Sequence, residues 1–238
     1  LLSVSSNNMI TSNAIYSNYN GIYLTTGSDS NNISSNTIKS NTQYNVYIYS
    51  DSDNNIIKNN FINKSGSGYD NILIDGYSDS NTADNNTIEN NTISNSGFNG
   101  IYIFEYSQNN TIKDNTIANS TSAGILIGSL NTNNNIIMGG LIVNNTVGIN
   151  ITGAIKINIT NTTIQLSSIW DLYIINNSDV IALNISFNKS KVNVSSGIAT
   201  DLSNLTVQWY VDVNVTWFNS SAVYGASVFA YENSTVLW

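Results

Sequence analysis

The 238-residue sequence contains no Cys, Pro, His or Arg, and only 9% of it is charged. Each absence excludes something. Without Cys or His, tetrahedral zinc, thiolate copper and haem lose their usual donors. Ser-His-Asp and Cys-His nucleophile systems are impossible. Disulfides cannot staple the fold, so a large core must. A net charge of −8 with Lys as the sole basic residue argues against nucleic acid, which needs cationic contacts to phosphate. No apolar run approaches the length of a membrane span. Leu1 is not an initiator Met and no leader is visible, which suggests a mature or excised segment.

In place of charge the chain carries 45 Asn, 34 Ser and 21 Thr beside 41% hydrophobic residues. These are organised as a repeat. The pattern Asn-x-Ile-x-x-Asn-x-Ile starts at Asn8, Asn31, Asn55, Asn86 and Asn110, with degraded copies from Asn135, Ile157 and Asp179. Its first apolar position falls at 10, 33, 57, 88, 112, 137, 159 and 181. A second column follows in step: Gly21-Ile22-Tyr23-Leu24, Asn45-Val46-Tyr47-Ile48, Asn71-Ile72-Leu73-Ile74, Gly100-Ile101-Tyr102-Ile103, Gly124-Ile125-Leu126-Ile127 and Gly148-Ile149-Asn150-Ile151. These are very short alternating strands between turn residues, with no amphipathic helix among them. A coil of 22 to 25 residues cannot bury its own apolar face. Stacking the coils ~4.8 Å apart does so, with Ile over Ile and the backbone paired in parallel. Asn at the bends tolerates left-handed backbone and can form side-chain ladders. The interval of 31 before Ile88 places an insertion in Ser65–Tyr69 and Tyr77–Asp84.

Copies such as Asn85–Ile93 and Asn99–Ile103 resemble the right-handed parallel β-helix repeat family, in particular its NosD-like branch, common in secreted archaeal surface proteins. The resemblance covers about residues 5 to 195 and implies an all-β solenoid of about eight coils. It implies little about activity, because this solenoid hosts many. The copper role associated with NosD finds no donors beyond Met9 and Met138.

The period breaks near residue 200. The expected division is therefore a β-helix over 1–200 and sandwich-like strands over 201–238. The alternating strand Leu205–Phe218 and a second at Gly225–Tyr231 resemble the start of an immunoglobulin-like or carboxypeptidase-regulatory-like sandwich, truncated or completed by a neighbouring subunit.

Three features could carry function. From Asn144 onward, 12 of 14 Asn head the sequon Asn-x-Ser/Thr, against six of 31 before it. N-glycans are expected on Asn144, Asn150, Asn158, Asn161, Asn176, Asn188, Asn193, Asn204, Asn214, Asn219 and Asn233. Asn184 is set aside as a ladder residue. Second, Asp29, Asp53 and Asp79 recur in one bend, a candidate calcium column set against a plain turn role; no other cofactor is expected. Third, Tyr23, Tyr47, Leu73, Tyr102 and Leu126 form an outward stripe for self-assembly or sugar stacking.

These features together suggest a non-enzymatic, glycosylated structural protein of the cell surface. It would form a sheath, surface layer or filament with other copies of itself, without nucleic acid and without a membrane span in this segment. The alternatives are a carbohydrate-binding adhesin and a polysaccharide lyase or hydrolase. For the last, Asp51, Asp53, Asp75, Asp79 and Glu105 lie on neighbouring coils and offer carboxylate pairs.

Overall fold

Each turn of the chain lays short strands on two or three faces, and each strand pairs with its equivalent one repeat later. The computed structural model describes residues 1–129 and 131–210 and forms a parallel β-helix of about nine turns. Sheet A has nine strands, from Leu2–Ser3 to Val192–Val194; sheet B has nine, from Met9–Thr11 to Asn204–Gln208; sheet C has seven, from Ala14–Tyr16 to Thr163–Gln165. Among the described residues the only helical turn is a short 3-10 segment at Lys189–Lys191.

Strand alternation sends one side chain of each three-residue strand inward. In sheet B, Ile33, Ile57, Ile88 and Ile112 stack in register, and in sheet C Ile38, Ile62, Ile93 and Ile117 do the same. All eight are essentially fully buried. Each contributes about 2 kcal/mol of apolar transfer, set against the ordering of its coil.

The corners explain the Asn content. Asn comes in pairs whose members do different work. The first adopts a left-handed backbone, as at Asn59 (φ 55), Asn90 (φ 53) and Asn109 (φ 56). The second is buried and bonds along the stack. Asn91 Oδ1 accepts from the backbone N–H and side-chain amide of Asn60, at 2.9 and 3.0 Å. Its own amide donates to Ile57 O at 2.8 Å and Asn115 Oδ1 at 3.0 Å. Asn8, Asn31, Asn55, Asn86, Asn110 and Asn135 form a parallel ladder, each backbone N–H donating to the next Oδ1 at 2.8–2.9 Å. Glycine enters where backbone crowds backbone: a Cβ on Gly100 would stand 2.5 Å from Gly124 O.

The structure corrects the sequence reading in three places. The last copy was assigned one residue early: Val180 and Ala182 point inward, whereas Ile181 is 41% exposed. Ile is the more apolar residue, but parallel pairing to Ile157 and Ile159 sets the register. Next, Asn204–Gln208 pairs in parallel with Asp179–Leu183 and is the ninth strand of sheet B rather than the start of a sandwich. Its alternation suits either fold. The sandwich strands expected beyond residue 210 lie outside the described residues. Finally, about nine turns replace the expected eight, because the last turn, which carries Asn204–Gln208, has lost the Asn-x-Ile pattern.

The insertion is split as expected. Ile62 to Ile72 is two residues longer than Ile38 to Val46, and Ile74 to Ile88 is five longer than Ile48 to Ile57.

The two Asn classes should respond differently to substitution. Asn91→Ala leaves several buried donors and acceptors unpaired and should cost ~3 kcal/mol or more in urea unfolding. Asn90→Gly, at the adjacent left-handed corner, should change stability by less than ~1 kcal/mol. Similar losses at both positions would refute the division of labour.

Candidate functional site

The outward face of sheet A carries two rows of side chains over the middle coils. The first is the expected stripe, Tyr23, Tyr47, Leu73, Tyr102 and Leu126, in continuous parallel register. The second lies two residues further along each strand and includes Tyr49, Asp75 and Phe104. Tyr23 and Tyr47 stack with centroids 4.9 Å apart at 9°. Tyr44 lies 4.9 Å from Tyr47, and Tyr69, from the first part of the insertion, meets Tyr44 edge-on at 5.2 Å. Tyr77, from the second part, meets Tyr49 at 5.8 Å, and Tyr102 lies 5.1 Å from Phe104. Leu73 is covered among these rings and is 5% exposed.

Two carboxylates stand at the edge of this platform on adjacent coils. Asp75 is half-buried, and its Oδ2 accepts a hydrogen bond from Tyr47 Oη at 3.1 Å. Burial raises the pKa of Asp75, the Tyr47 bond opposes that shift, and the charge of Glu105 adds to it. Glu105 Oε1 accepts from Ser129 Oγ at 3.1 Å. Gly76 locks the coils beneath: its N–H donates to Glu105 O at 2.7 Å, and a Cβ there would lie 2.3 Å from Tyr106 O. Burial keeps the surrounding phenols protonated, with Asp70 and Asp75 adding to the effect. Tyr44 is pushed up to about 12, and Tyr47 and Tyr102 rise further. They are neutral hydroxyl donors. Beyond Glu105 the face opens into a depression lined by Tyr102, Phe104, Ser129, Thr152, Gly153 and Asn176. The inserted loop runs beside it, Asp79 accepting from Asn131 Nδ2 at 2.9 Å. No Lys occurs in any sheet A strand.

Only part of this arrangement was expected. The stripe was visible in the sequence, and Asp75 and Glu105 were two of five carboxylates expected on neighbouring coils, but nothing there singled out this pair. Tyr44, Tyr49, Tyr69, Tyr77, Phe104 and Ser129 were missed. Continuing the strand alternation would have found Tyr49 and Phe104; the loop tyrosines carried no periodic signal.

The acidic column is built otherwise than predicted. Asp53 N–H donates to Asp29 Oδ1 at 2.9 Å, Asp84 N–H to Asp53 Oδ1 at 2.7 Å and Gln108 N–H to Asp84 Oδ1 at 2.6 Å. The third member is Asp84, because the five added residues carry Asp79 out onto the loop. These carboxylates accept backbone donors. Among the described residues, no group of three or more His, Cys, Asp or Glu is placed to hold a metal ion.

The sequon residues Asn144, Asn161, Asn176, Asn188 and Asn204 are exposed, whereas Asn150, Asn158 and Asn193 are half-buried on strands. Asn214, Asn219 and Asn233 lie outside the described residues. Asn184 is exposed at a left-handed corner (φ 53), not buried in a ladder.

Comparison with known proteins bears on this face. The family model described as periplasmic copper-binding protein (NosD) matches residues 1–80. Copper does not fit the residues described: Met9 and Met138 sit on sheet B strands five apart in stacking order, with no His or Cys in the chain. No curated protein matches. Among solved structures, the periplasmic alginate epimerase AlgG matches with TM-score 0.66 at 16% identity, over 84% of this chain and 51% of that one. The mannuronan C-5 epimerase AlgE4 A-module of Azotobacter vinelandii matches with TM-score 0.61 at 14% identity, over 86% and 56%. The catalytic unit of a GH87 α-1,3-glucanase from Streptomyces thermodiastaticus gives 0.62 at 14%, over 87% and 48%. The chain thus spans about half the length of each. At these identities the likeness is one of fold.

These matches overturn the expectation of a non-enzymatic sheath or surface-layer subunit, since the three solved structures named above that share this solenoid are carbohydrate-active enzymes, at 14–16% identity. The absences in the composition exclude His-, Cys- and Arg-dependent catalysis. They do not exclude chemistry by carboxylates, and the fold gathers two of these beside an aromatic platform.

Below the platform, Asp70 is 4% exposed, and its Oδ1 accepts from the Asn99 N–H and side-chain amide, both at 2.9 Å. Burial raises its pKa to about 6, against the opposing Asn99 bonds. A carboxyl raised in the folded state holds its proton longer there than when unfolded, so its contribution falls as pH rises from about 4 to 6. Asp70→Asn keeps both acceptor bonds and should stabilise the protein at pH 7 by ~2 kcal/mol. The gain should vanish at pH 4. A difference of equal size at both pH values, in thermal melts, would contradict this.

Proposed function

We propose that the chain is a carbohydrate-active enzyme that lays a neutral polysaccharide along sheet A and hydrolyses it between Asp75 and Glu105. The observation carrying this reading is the placement of Asp75: half-buried among tyrosines, bonded to Tyr47, its pKa raised, with a second carboxylate on the adjacent coil. The apolar faces of sugar rings can pack on aromatic faces, and the coils set such rings ~4.8 Å apart along the rod. An anionic polymer would meet Asp75 and Glu105 with no Lys in the sheet A strands to offset its charge. The neutral class is therefore favoured.

In the reaction, protonated Asp75 gives its proton to the glycosidic oxygen as the C1–O bond breaks. Glu105 takes a proton from the water whose oxygen adds to C1, and water is the co-reactant. Ser129 holds Glu105 through its hydroxyl. The periplasmic description of the matched family and of AlgG supports action outside the cytoplasm. No described helix is long and apolar enough to cross a membrane.

The test is reducing-end release from linear neutral glucans, α-1,3-glucan included, and from mannans and galactans. Asp75→Asn and Glu105→Gln should each lower kcat about 100-fold or more with folding and glycan binding retained. Tyr47→Phe removes a bond that favours ionised Asp75, so the basic limb of the pH–rate profile should move to higher pH. Turnover that survives both carboxylate substitutions would sink the assignment, as would a failure to bind or cleave any of these polymers.

A further inference from the structure

We infer that Asn144, Asn161, Asn184, Asn188 and Asn204 carry N-linked glycans, which clothe the later coils and leave the sheet A platform bare. The inference is independent of the chemistry assigned to that platform.

It starts from the sequon bias: 12 of 14 Asn from Asn144 onward head Asn-x-Ser/Thr, against six of 31 earlier. The fold itself generates some sequons. At many corners a left-handed Asn is followed by a ladder residue and then by the outward first residue of a strand. That third residue need not bear a hydroxyl, for it is Ile56 after Asn54, Phe61 after Asn59 and Ile136 after Asn134. Packing therefore does not demand Thr163 after Asn161 or Ser186 after Asn184. Asn176 is set aside for its position, lining the depression beside Glu105, rather than for its hydroxyl. Ser178 Oγ closes its turn by donating to Ile175 O at 2.6 Å, but the sequon hydroxyls of Asn144 and Asn188 also bond within the fold, Thr146 Oγ1 donating to Thr121 O at 2.9 Å and Ser190 Oγ to Asn188 Oδ1 at 2.8 Å.

Exposure then sorts the rest. Asn144, Asn161, Asn184, Asn188 and Asn204 are all exposed. Asn161 and Asn184 stack at one corner between sheets B and C, Asn144 follows sheet C, and Asn204 opens the last strand of sheet B. None belongs to sheet A. At Asn144, Asn161, Asn184 and Asn188 the existing bonds tolerate the modification, since a glycan replaces one of two hydrogens on Nδ2 and leaves Oδ1 intact. Asn204 Nδ2, which donates to Asp179 Oδ1 at 3.1 Å and to Thr206 Oγ1 at 3.4 Å, would keep one of its two bonds. Asn184 Nδ2 can still donate to Asn161 Oδ1, now 2.8 Å away, and Asn144 Nδ2 to Asn119 Oδ1, at 2.6 Å. Asn188 Oδ1 can still cap Lys189–Lys191, accepting from Ser190 N at 3.0 Å and from its own sequon hydroxyl at 2.8 Å. Asn150 and Asn158 lie mid-strand and half-buried, and Asn150 Oδ1 is sealed from solvent without a partner. A sugar there would break the packing.

The experiment is chymotryptic peptide mass spectrometry on the chain purified from its source cells. Glycan mass on the five exposed sites, with Asn150 and Asn158 at bare peptide mass, is the expected result. Five bare sites, or an intact mass equal to the 25.9 kDa polypeptide, would overturn the inference. Equal occupancy at Asn150 and Asn158 would overturn the structural sorting on which it rests. Replacing all five by Gln should remove the added mass and leave the circular dichroism spectrum unchanged.

Discussion

Every coil must offer the next one the same outline, and the Asn side chain makes that repetition pay for itself. Placed at a corner, it caps the backbone of one coil while holding the next, as Asn91 does between Asn60 and Asn115. A corner without such bonds would bury peptide groups with no partner at every bend, at a cost of about 1–3 kcal/mol apiece. The Ile stacks depend on this, because they align only if the corners keep the rise constant. Low charge follows as well: like charges stacked at coil spacing would repel along the whole rod, whereas amides form donor–acceptor chains.

The same constraint builds the candidate site. A solenoid turns a residue repeated once per coil into a row, so tyrosines at equivalent positions become a platform without any loop to gather them. Departures from the repeat then supply chemistry. Asp75 falls where the neighbouring coils place Tyr49 and Phe104, and the inserted residues bring Tyr69 and Tyr77 to the same face. A carboxylate among aromatic rings is desolvated, which raises its pKa and makes it a better holder of a proton.

The later coils do something different with the same alphabet. The ladder Asn give way to Ile157, Gly140 and Thr162, and apart from buried Asn145 the described Asn from Asn144 onward stand at exposed positions or on outward strand positions. One solenoid thus presents an aromatic, acidic stretch on sheet A and a polar stretch elsewhere, at no cost to the core they share.

The sequence by itself determined the solenoid, its strand positions, the Asn corners, the place of the insertion and the aromatic stripe, because each recurs with the coil and periodicity needs no knowledge of the third dimension. Only the tertiary structure decided the rest. Ile181 faces out and Ala182 in because pairing to the previous coil outweighs the apolarity of a single residue. Asp84 rather than Asp79 completes the acidic column because an insertion shifts numbering but not stacking. Leu205–Gln208 joins sheet B because an alternating strand looks the same in a sandwich and in a coil. The repeat already put five carboxylates on neighbouring coils. Only the stack sets Asp75 in the aromatic row, bonded to Tyr47 and beside Glu105, because which side chain meets which ring depends on packing across coils and not on spacing along the string.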